Sequence, residues 1–266
     1  MTTLIRRART VLAVVFTAIV LLAGTSTAQA APSVGAAVGK ATIVLLHGAY
    51  ADGSSWAEVI RRLQGDGYTV VAPAVPLRGI ASDTAYLRGV LATIPGPKVL
   101  VGHSYGGALV SELADTPGVT SLVYVAAFIP EAGETLGALN SQFPGSQLGD
   151  VTVAISYPGG LDLAVNTATA GPILGADIPD RQGKVFLAAQ RPVAAAAFSE
   201  PVAKTAPAAL PKYAVIPTGD KAIAPAAERF MATRAGAKQV EIRGASHLVA
   251  LSQPEAVTTV IERAAH

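Results

Sequence analysis

The segment Val99–Gly107, which reads VLVGHSYGG, decides the fold. An apolar run ends at a Gly-x-Ser-x-Gly motif, and helix-favouring residues follow it. This order predicts a strand, a very tight turn that carries Ser104, and then a helix. Gly102 and Gly106 have no Cβ atoms, so the strand and the helix can approach closely and the serine hydroxyl projects above the sheet. The next backbone N–H, that of Tyr105, lies at a helix N-terminus, where the helix dipole favours negative charge.

Similar apolar runs recur along the chain and alternate with helix-like stretches. The predicted strands are Ala41–Leu46, Tyr68–Ala72, Lys98–Val101, Val119–Ala126, Tyr213–Ile216 and Gln239–Ile242. The predicted helices are Ser54–Leu63, Ser82–Leu91, Tyr105–Leu113, Pro225–Ala235 and Pro254–Ala264. Continuous apolar runs are typical of strands that are buried on both faces. The alternation predicts an α/β fold with a doubly wound, mostly parallel sheet of about six strands.

Residues 131–210 break this alternation. The stretch is rich in Ala, Pro and Gly, with helical patches at Lys184–Ala189 and Pro192–Phe198. We interpret it as a cap inserted between the fifth and sixth strands.

The first 30 residues have the pattern of a secretory signal. Arg6, Arg7 and Arg9 precede an apolar run from Val11 to Ala23, and Ala28-Gln29-Ala30 supplies the small residues of a cleavage site. An uncleaved membrane anchor is the alternative, but a span needs roughly 20 apolar residues. We therefore predict a signal peptide at 1–30, one domain at 31–266, and a secreted protein, either extracellular or periplasmic.

Composition excludes several classes of protein. The 266 residues include no cysteine, so a disulfide framework and a cysteine nucleophile are excluded. An apolar content of 51% with 14% charged residues fits a domain with a large core. Without the three signal arginines, 17 basic residues face 18 acidic ones, which leaves no basic surface for nucleic acid. We expect no stable membrane association after cleavage, and the oligomeric state stays open.

A serine hydroxyl needs a base to become a nucleophile. The chain has four histidines. His103 lies inside the turn beside Ser104, His266 is the last residue, and His47 ends the first predicted strand. Elimination favours His247, which follows the last predicted strand.

The base needs a carboxylate to orient it. Asp220 directly follows the apolar strand Tyr213–Ile216, and this places it at the carboxyl edge of the sheet, where active sites of open α/β sheets lie. The loop after the first strand supplies another expected element. There Gly48 allows a sharp turn, and the Ala49 N–H can serve as a second donor to an oxyanion beside that of Tyr105. We expect His47 to hydrogen-bond the loop backbone.

These motifs together carry a resemblance to a known family. Leu45–Trp56, Gly102–Gly107, Thr218–Asp220 and Ser246–His247 resemble the α/β-hydrolase superfamily. The branch that they resemble most contains bacterial esterases, plant methylesterases and plant hydroxynitrile lyases. The resemblance spans Ile43–Ala264. It implies that Ser104, Asp220 and His247 form a catalytic triad and that Ala49 and Tyr105 form the oxyanion hole.

The resemblance also implies an activity. A serine hydrolase of this kind cleaves carboxylic esters through an acyl-enzyme and needs no metal or organic cofactor. Its partner is a small-molecule ester, and a small to medium hydrophobic one would suit an apolar pocket under the cap. The candidate walls of this pocket are Tyr50, Tyr105, Phe128, Phe143, Phe186, Phe198 and Leu248.

Other activities remain open at this stage. The lyases of the branch carry a Lys just after the catalytic His and a Thr in the oxyanion loop, where this chain has Leu248 and Gly48. These differences favour ester hydrolysis over a carbon–carbon lyase acting on cyanohydrins. Lactonase and amidase activities on the same triad are closer alternatives. A non-catalytic binding protein of this fold would usually have lost a triad residue.

Overall fold

The structure is a computed structural model that describes residues 39–266. The predicted signal peptide at 1–30 and the start of the predicted domain lie outside these residues. Within 39–266, no helix combines the length and the apolar character that crossing a membrane requires.

Nine strands and eleven helices account for the regular structure of the described residues. The strands are β1 (Thr42–Leu46), β2 (Val70–Val71), β3 (Lys98–His103), β4 (Val119–Val125), β5 (Thr152–Tyr157), β6 (Gly160–Val165), β7 (Val193–Ala194), β8 (Lys212–Pro217) and β9 (Lys238–Ile242). The helices are α1 (Ala57–Gly65), α2 (Ile80–Ala92), α3 (Tyr105–Leu113), α4 (Leu136–Gln142), α5 (Leu148–Val151), α6 (Gly171–Leu174), α7 (Asp180–Ala188), α8 (Ala196–Ser199), α9 (Pro225–Arg234), α10 (Val249–Ser252) and α11 (Pro254–Ala264). A short 3₁₀ helix at Gly53–Trp56 precedes α1.

The central sheet has six strands in the order β2-β1-β3-β4-β8-β9, and all neighbouring pairs are parallel. The prediction of a doubly wound parallel sheet is confirmed. Strand β2 is shorter than the predicted Tyr68–Ala72 because only two of its residues pair with β1. Every residue of β1 and β3 is buried, which explains the unbroken apolar runs Ile43–Leu46 and Val99–Val101 within them.

Two hydrophobic cores cover the two faces of this sheet. Ile43 and Leu45 of β1 belong to the core that contains Trp56 and the buried faces of α1 and α11. Val44 and Leu46 belong to the other core, with α2, α3 and α9. This alternation follows from the two-residue period of a strand, so both faces of the sheet are covered.

The inserted cap lies between β4 and β8, which are the fourth and fifth strands of the central sheet. The expected position between the fifth and sixth strands was therefore wrong. Besides α4 to α8, the cap contains a three-stranded antiparallel sheet, β5-β6-β7, that the sequence did not predict.

One of the two helical patches predicted in the cap is confirmed, since α7 contains Lys184–Ala188. The other, Pro192–Phe198, was half wrong, because its first half forms β7 and only its second half is helical. Val193 pairs with Leu163 of β6, and this tertiary pairing overrides the local helix preference of an alanine-rich tract.

Ion pairs join the cap to the body. Arg78, just before α2, binds both oxygens of Asp162 in β6, at 2.9 and 3.0 Å. Arg234 of α9 binds Glu134 at the start of the cap at 2.7 Å. Lys204 of the cap also pairs with Asp115 of the body, so ion pairs fasten the cap at three separate points.

Substitution of Gly102 by Ala tests the close packing of β3 against α3. A Cβ at position 102 would lie 2.5 Å from the carbonyl carbon of Gly106 and 2.7 Å from the nitrogen of Gly107. These are backbone atoms that cannot move without opening the turn. We expect Gly102→Ala to lower the free energy of unfolding by about 3 kcal/mol or more, at the upper end of overpacking effects.

Gly89→Ala is the matched control. Gly89 lies on the exposed side of α2, and nothing would contact its added Cβ within 4 Å. Because Ala is favoured over Gly inside a helix, this change should stabilise the protein by about 0.5–1 kcal/mol. Urea unfolding followed by circular dichroism compares the two, and equal stabilities would contradict the packing argument.

Candidate active site

Ser104 joins β3 to α3 in a conformation that few residues adopt. Its φ is 52° and its ψ is −119°, a positive φ that is unfavourable for any residue other than glycine. The end of β4 holds this backbone in place. The Ser104 N–H donates to the Val125 carbonyl at 3.2 Å, and the Ser104 carbonyl accepts from the Phe128 N–H at 3.3 Å. The surrounding structure therefore maintains the strained turn.

His247 and Asp220 form a buried pair at the same edge of the sheet. The distance from His247 Nδ1 to Asp220 Oδ2 is 2.6 Å. The other carboxylate oxygen of Asp220 accepts from the backbone N–H groups of Ala222 and Ile223, at 2.7 and 3.0 Å. Asp220 therefore caps the turn before α9 and also orients the imidazole. With Nδ1 bound, Nε2 is the nitrogen left to act on a hydroxyl.

Ser104 and His247 line one cavity, so the structure brings the three residues of the predicted triad to one place. Their catalytic roles remain predictions.

His103 contacts His247 in a way that the sequence did not indicate. Its Nε2 lies 3.0 Å from the His247 carbonyl oxygen, and the two ring centroids are 4.7 Å apart. Burial, and then the charge on His247, lower the pKa of His103 to about 3. The His103 ring is thus neutral and donates its Nε2–H to that carbonyl, which fixes the backbone of the His247 loop. Sequence reasoning missed this contact because the partners are 144 residues apart.

The loop after β1 passes directly over the turn that carries Ser104. A Cβ at Gly48 would lie 2.8 Å from the Ser104 Cβ and 2.9 Å from His103 Nδ1, so only glycine fits there. Ala49 lines the same cavity as Ser104. Among residues 39–266, the N–H groups of Ala49 and Tyr105 donate to no protein acceptor, which leaves both available to an oxyanion.

His47 fixes this loop, as expected. Its Nε2 accepts from the Val75 N–H at 3.0 Å, so the proton is on Nδ1, which donates to the Gly48 carbonyl at 2.9 Å. Burial lowers the pKa of His47 to about 4. Both ring nitrogens are therefore occupied by backbone groups, and the ring is neutral.

The cavity above Ser104 is narrow, mostly enclosed and largely apolar. Five of the predicted wall residues line it: Tyr50, Phe128, Phe186, Phe198 and Leu248. Four apolar wall residues were not predicted: Leu148, Leu174, Ala222 and Ile223. The first two come from the cap, whose local structure the sequence did not define.

Two predicted wall residues are elsewhere. The Tyr105 side chain points into the core, where its hydroxyl donates to Asp83 Oδ2 at 2.9 Å, so only the backbone of this residue can serve the site. Phe143 packs against Phe230, with 5.3 Å between ring centroids. An aromatic residue in a cap segment is as readily used for packing as for a pocket.

The cap also holds the loop that carries His247. The Leu248 N–H donates to the Leu174 carbonyl at 2.9 Å. On the other side of the histidine, the Ser246 N–H donates to Asp177 Oδ1 at 3.2 Å, and the Ser246 hydroxyl binds the same oxygen. The position of the imidazole thus depends on the cap as well as on the sheet.

Among residues 39–266, no three His, Asp or Glu side chains are grouped as metal ligands. A strained serine, a buried His–Asp pair and two available N–H groups around an apolar cavity are the parts needed for acyl transfer. The model of the alpha/beta hydrolase family matches residues 43–260. The chain belongs to this family.

Individual relatives share shorter segments. A carbendazim hydrolyzing esterase from Nocardioides sp. (strain SG-4G) is 36% identical over 113 residues, which cover 37% of this chain and 47% of the esterase. A pyrethroid hydrolase from Sphingobium wenxiniae (strain DSM 21828 / CGMCC 1.7748 / JZ-1) is 35% identical over 106 residues, covering 35% of this chain and 38% of that enzyme. The match thus spans less than half the length of these curated relatives.

A solved structure matches nearly the whole described chain. Polyneuridine aldehyde esterase superposes with a TM-score of 0.72 over 84% of this chain and 98% of its own, at 20% identity. At that identity the likeness shows the fold.

Because His47 is buried as a neutral ring, we expect the free energy of unfolding to fall in acid. The ordinary pKa of histidine is 6.5, and that of His47 in the folded protein is about 4. Between these two pH values the unfolded chain binds the additional proton, so the free energy of unfolding rises with pH and falls on acidification. The contribution of His47 that is lost from about pH 6.5 to about pH 4 is about 3 kcal/mol.

His47→Gln should reduce this pH dependence, since an amide oxygen can accept from Val75 but does not titrate. His266→Gln, at the exposed terminal residue, is the control. Urea unfolding at several pH values gives the change in the free energy of unfolding per pH unit for each protein. A change for His47→Gln equal to that of the wild type would contradict the prediction.

Proposed function

We propose that this protein is a serine hydrolase that cleaves carboxylic esters through an acyl-enzyme intermediate. The observation that carries the proposal is the buried 2.6 Å contact between His247 and Asp220 beside the cavity that Ser104 lines. The names of the two curated relatives, an esterase and a pyrethroid hydrolase, support the same class of reaction.

The proposed reaction has two halves. The Ser104 hydroxyl attacks the ester carbonyl while His247 Nε2 takes its proton, and the N–H groups of Ala49 and Tyr105 stabilise the oxyanion. His247 then protonates the departing alcohol. Water, activated by the same nitrogen, hydrolyses the acyl-enzyme. Asp220 keeps the imidazole in one tautomer and stabilises its charged form.

The substrate class follows from the walls of the cavity. Four aromatic rings, those of Tyr50, Phe128, Phe186 and Phe198, face it together with aliphatic residues. Tyr50 stays neutral because burial raises its pKa to about 12. We propose small to medium hydrophobic esters, because such walls give a charged acyl group no partner. Lactones and amides are alternatives on the same triad, since the walls do not select the leaving group.

A hydroxynitrile lyase activity is not favoured. The residue after the proposed base is Leu248, which is buried, lines the cavity and binds the cap through its N–H. No lysine lines the cavity in the described part of the chain.

Hydrolysis of p-nitrophenyl esters of increasing acyl length tests the proposal. We expect turnover by the wild type, greatest for short to medium chains, and loss of turnover in Ser104→Ala. A fluorophosphonate should inactivate the enzyme and label Ser104, located by peptide mass mapping. Absence of turnover, or a label on another residue, would reject the mechanism.

Asp220→Asn and Asp162→Asn form a matched pair for the same assay. In the serine-protease template, the Asp→Asn change costs about 10⁴ in kcat because the amide holds the wrong tautomer. We expect a similar loss for Asp220→Asn. Asp162 binds Arg78 at the cap surface, and its amide variant should stay within about tenfold, or about 1.4 kcal/mol, of the wild type.

We further propose that residues 1–30 direct export and are then removed. The three arginines, the apolar run and Ala28-Gln29-Ala30 support this. N-terminal sequencing of protein from the culture medium should begin at Ala31. Full-length protein retained in membranes would show that the segment is an anchor.

A further inference from the structure

A second carboxyl group is buried next to Asp220. Glu228 lies in the first turn of α9, and only 2% of its surface is exposed. Both of its carboxyl oxygens lie within the protein, and no group of residues 39–266 donates a hydrogen bond to either. The side chain is within hydrogen-bonding reach of Asp220. The proposed mechanism gives this residue no role.

Asp220 has room for one more donor. Its Oδ1 accepts from the N–H groups of Ala222 and Ile223, and its Oδ2 accepts from His247. Each carboxylate oxygen can accept two hydrogen bonds, so these three donors leave one position unfilled. A neutral carboxylic acid carries one O–H donor, which matches that position.

The charges around Glu228 favour its neutral form. Burial and then the negative charge of Asp220 raise the pKa of Glu228 well above its usual range. The cation that opposes this effect is Arg229, but its guanidinium is exposed and binds Glu241 of β9 at 2.6 Å. An ionised Glu228 would therefore face a second carboxylate without any donor, which is very unfavourable.

We propose that Glu228 is a positioning residue of the active site, which stays protonated and donates its O–H to Asp220. The proposal rests on the proposed triad and extends it to a chain of four groups: Glu228, Asp220, His247 and Ser104. The donated hydrogen bond withdraws charge from Asp220 and holds its carboxylate plane toward Nδ1. Without this donor, Asp220 would keep more negative charge facing His247 Nδ1.

Two substitutions distinguish the neutral form from the ionised form. Glu228→Gln keeps the length and an N–H donor, as a protonated Glu does. Glu228→Met keeps the length but has no donor. If Glu228 is neutral, Glu228→Gln should leave the pKa of His247 unchanged, and Glu228→Met should raise it by about one unit because Asp220 keeps more of its charge.

The pKa of His247 is measured by NMR titration of protein labelled with ¹⁵N in histidine, with the resonance assigned by its absence in His247→Ala. If Glu228 were ionised, both variants would lose a negative charge near the imidazole, and both would lower that pKa by roughly one to three units. That result would overturn the proposal. Equal pKa values in all three proteins would also overturn it, since Glu228 would then fill space only.

An infrared measurement covers the case in which Glu228→Met does not fold. At neutral pH the wild type should show the carbonyl stretch of a neutral carboxylic acid, and this band should be missing in Glu228→Gln. Its absence from the wild type would reject the neutral form. Glu58→Gln, a change at an exposed residue of α1, is the control and should keep the band.

The NMR and infrared results do not depend on turnover, so they separate this proposal from the proposed function. Without ester hydrolysis by the wild type, the proposed function fails while the state of Glu228 is still decided. If the wild type hydrolyses esters, kcat/KM is measured against pH. The acid side of this profile should move to higher pH by about one unit in Glu228→Met and should not move in Glu228→Gln. A shift shared by both variants would contradict the positioning role.

Discussion

The close approach of strand β3 to helix α3 at Ser104 is the constraint on which the rest of the site depends. Because Gly102 and Gly106 have no side chains, one strained residue can join the strand to the helix. The loop after β1 then crosses so near to the serine that only Gly48 fits. Hydrogen bonds from the end of β4 keep this backbone from relaxing. A relaxed turn would remove the hydroxyl from the cavity and the Tyr105 N–H from its helix end.

The polar groups around the turn are satisfied by the backbone, and this has an energetic consequence. His47, His103 and Asp220 each bind backbone groups of loops that follow strands. Protonation of the buried His47 and His103 rings costs free energy. The same contacts that shape the site therefore make the folded protein less stable in acid. His247 differs from the other two rings because its Nδ1 faces a carboxylate and its Nε2 binds no group among residues 39–266.

How much the sequence could predict depends on whether a residue's role is local. The central strands, α3 and α11 were predicted within a few residues, because burial on both faces and helix-starting prolines leave clear local patterns. Ser104, Asp220 and His247 were predicted because each follows a strand. The hairpin of β5 and β6 was missed although Val153, Ile155 and Tyr157 alternate with Ala154 and Ser156, because these apolar residues are exposed and lie outside the strand–helix alternation of the central sheet.

Roles that depend on distant partners left no pattern to find. Among these are the hydrogen bond of His103 to His247, the contact of Asp177 with Ser246, and the place of Glu228 beside Asp220. Nothing near Glu228 in the sequence distinguishes it from a solvated acid in the first turn of a helix, where negative charge is favoured anyway.

The cap is more than a cover for the cavity. It supplies apolar walls such as Leu148 and Leu174, and it also binds the loop on both sides of His247. A change in the cap therefore acts on the substrate pocket and on the imidazole together. Since Leu174 contributes its side chain to the wall and its carbonyl to the loop, the two effects meet in one residue. Under the proposed mechanism, selectivity and rate are for this reason structurally coupled, and a cap substitution far from Ser104 can alter turnover without contacting the reacting atoms.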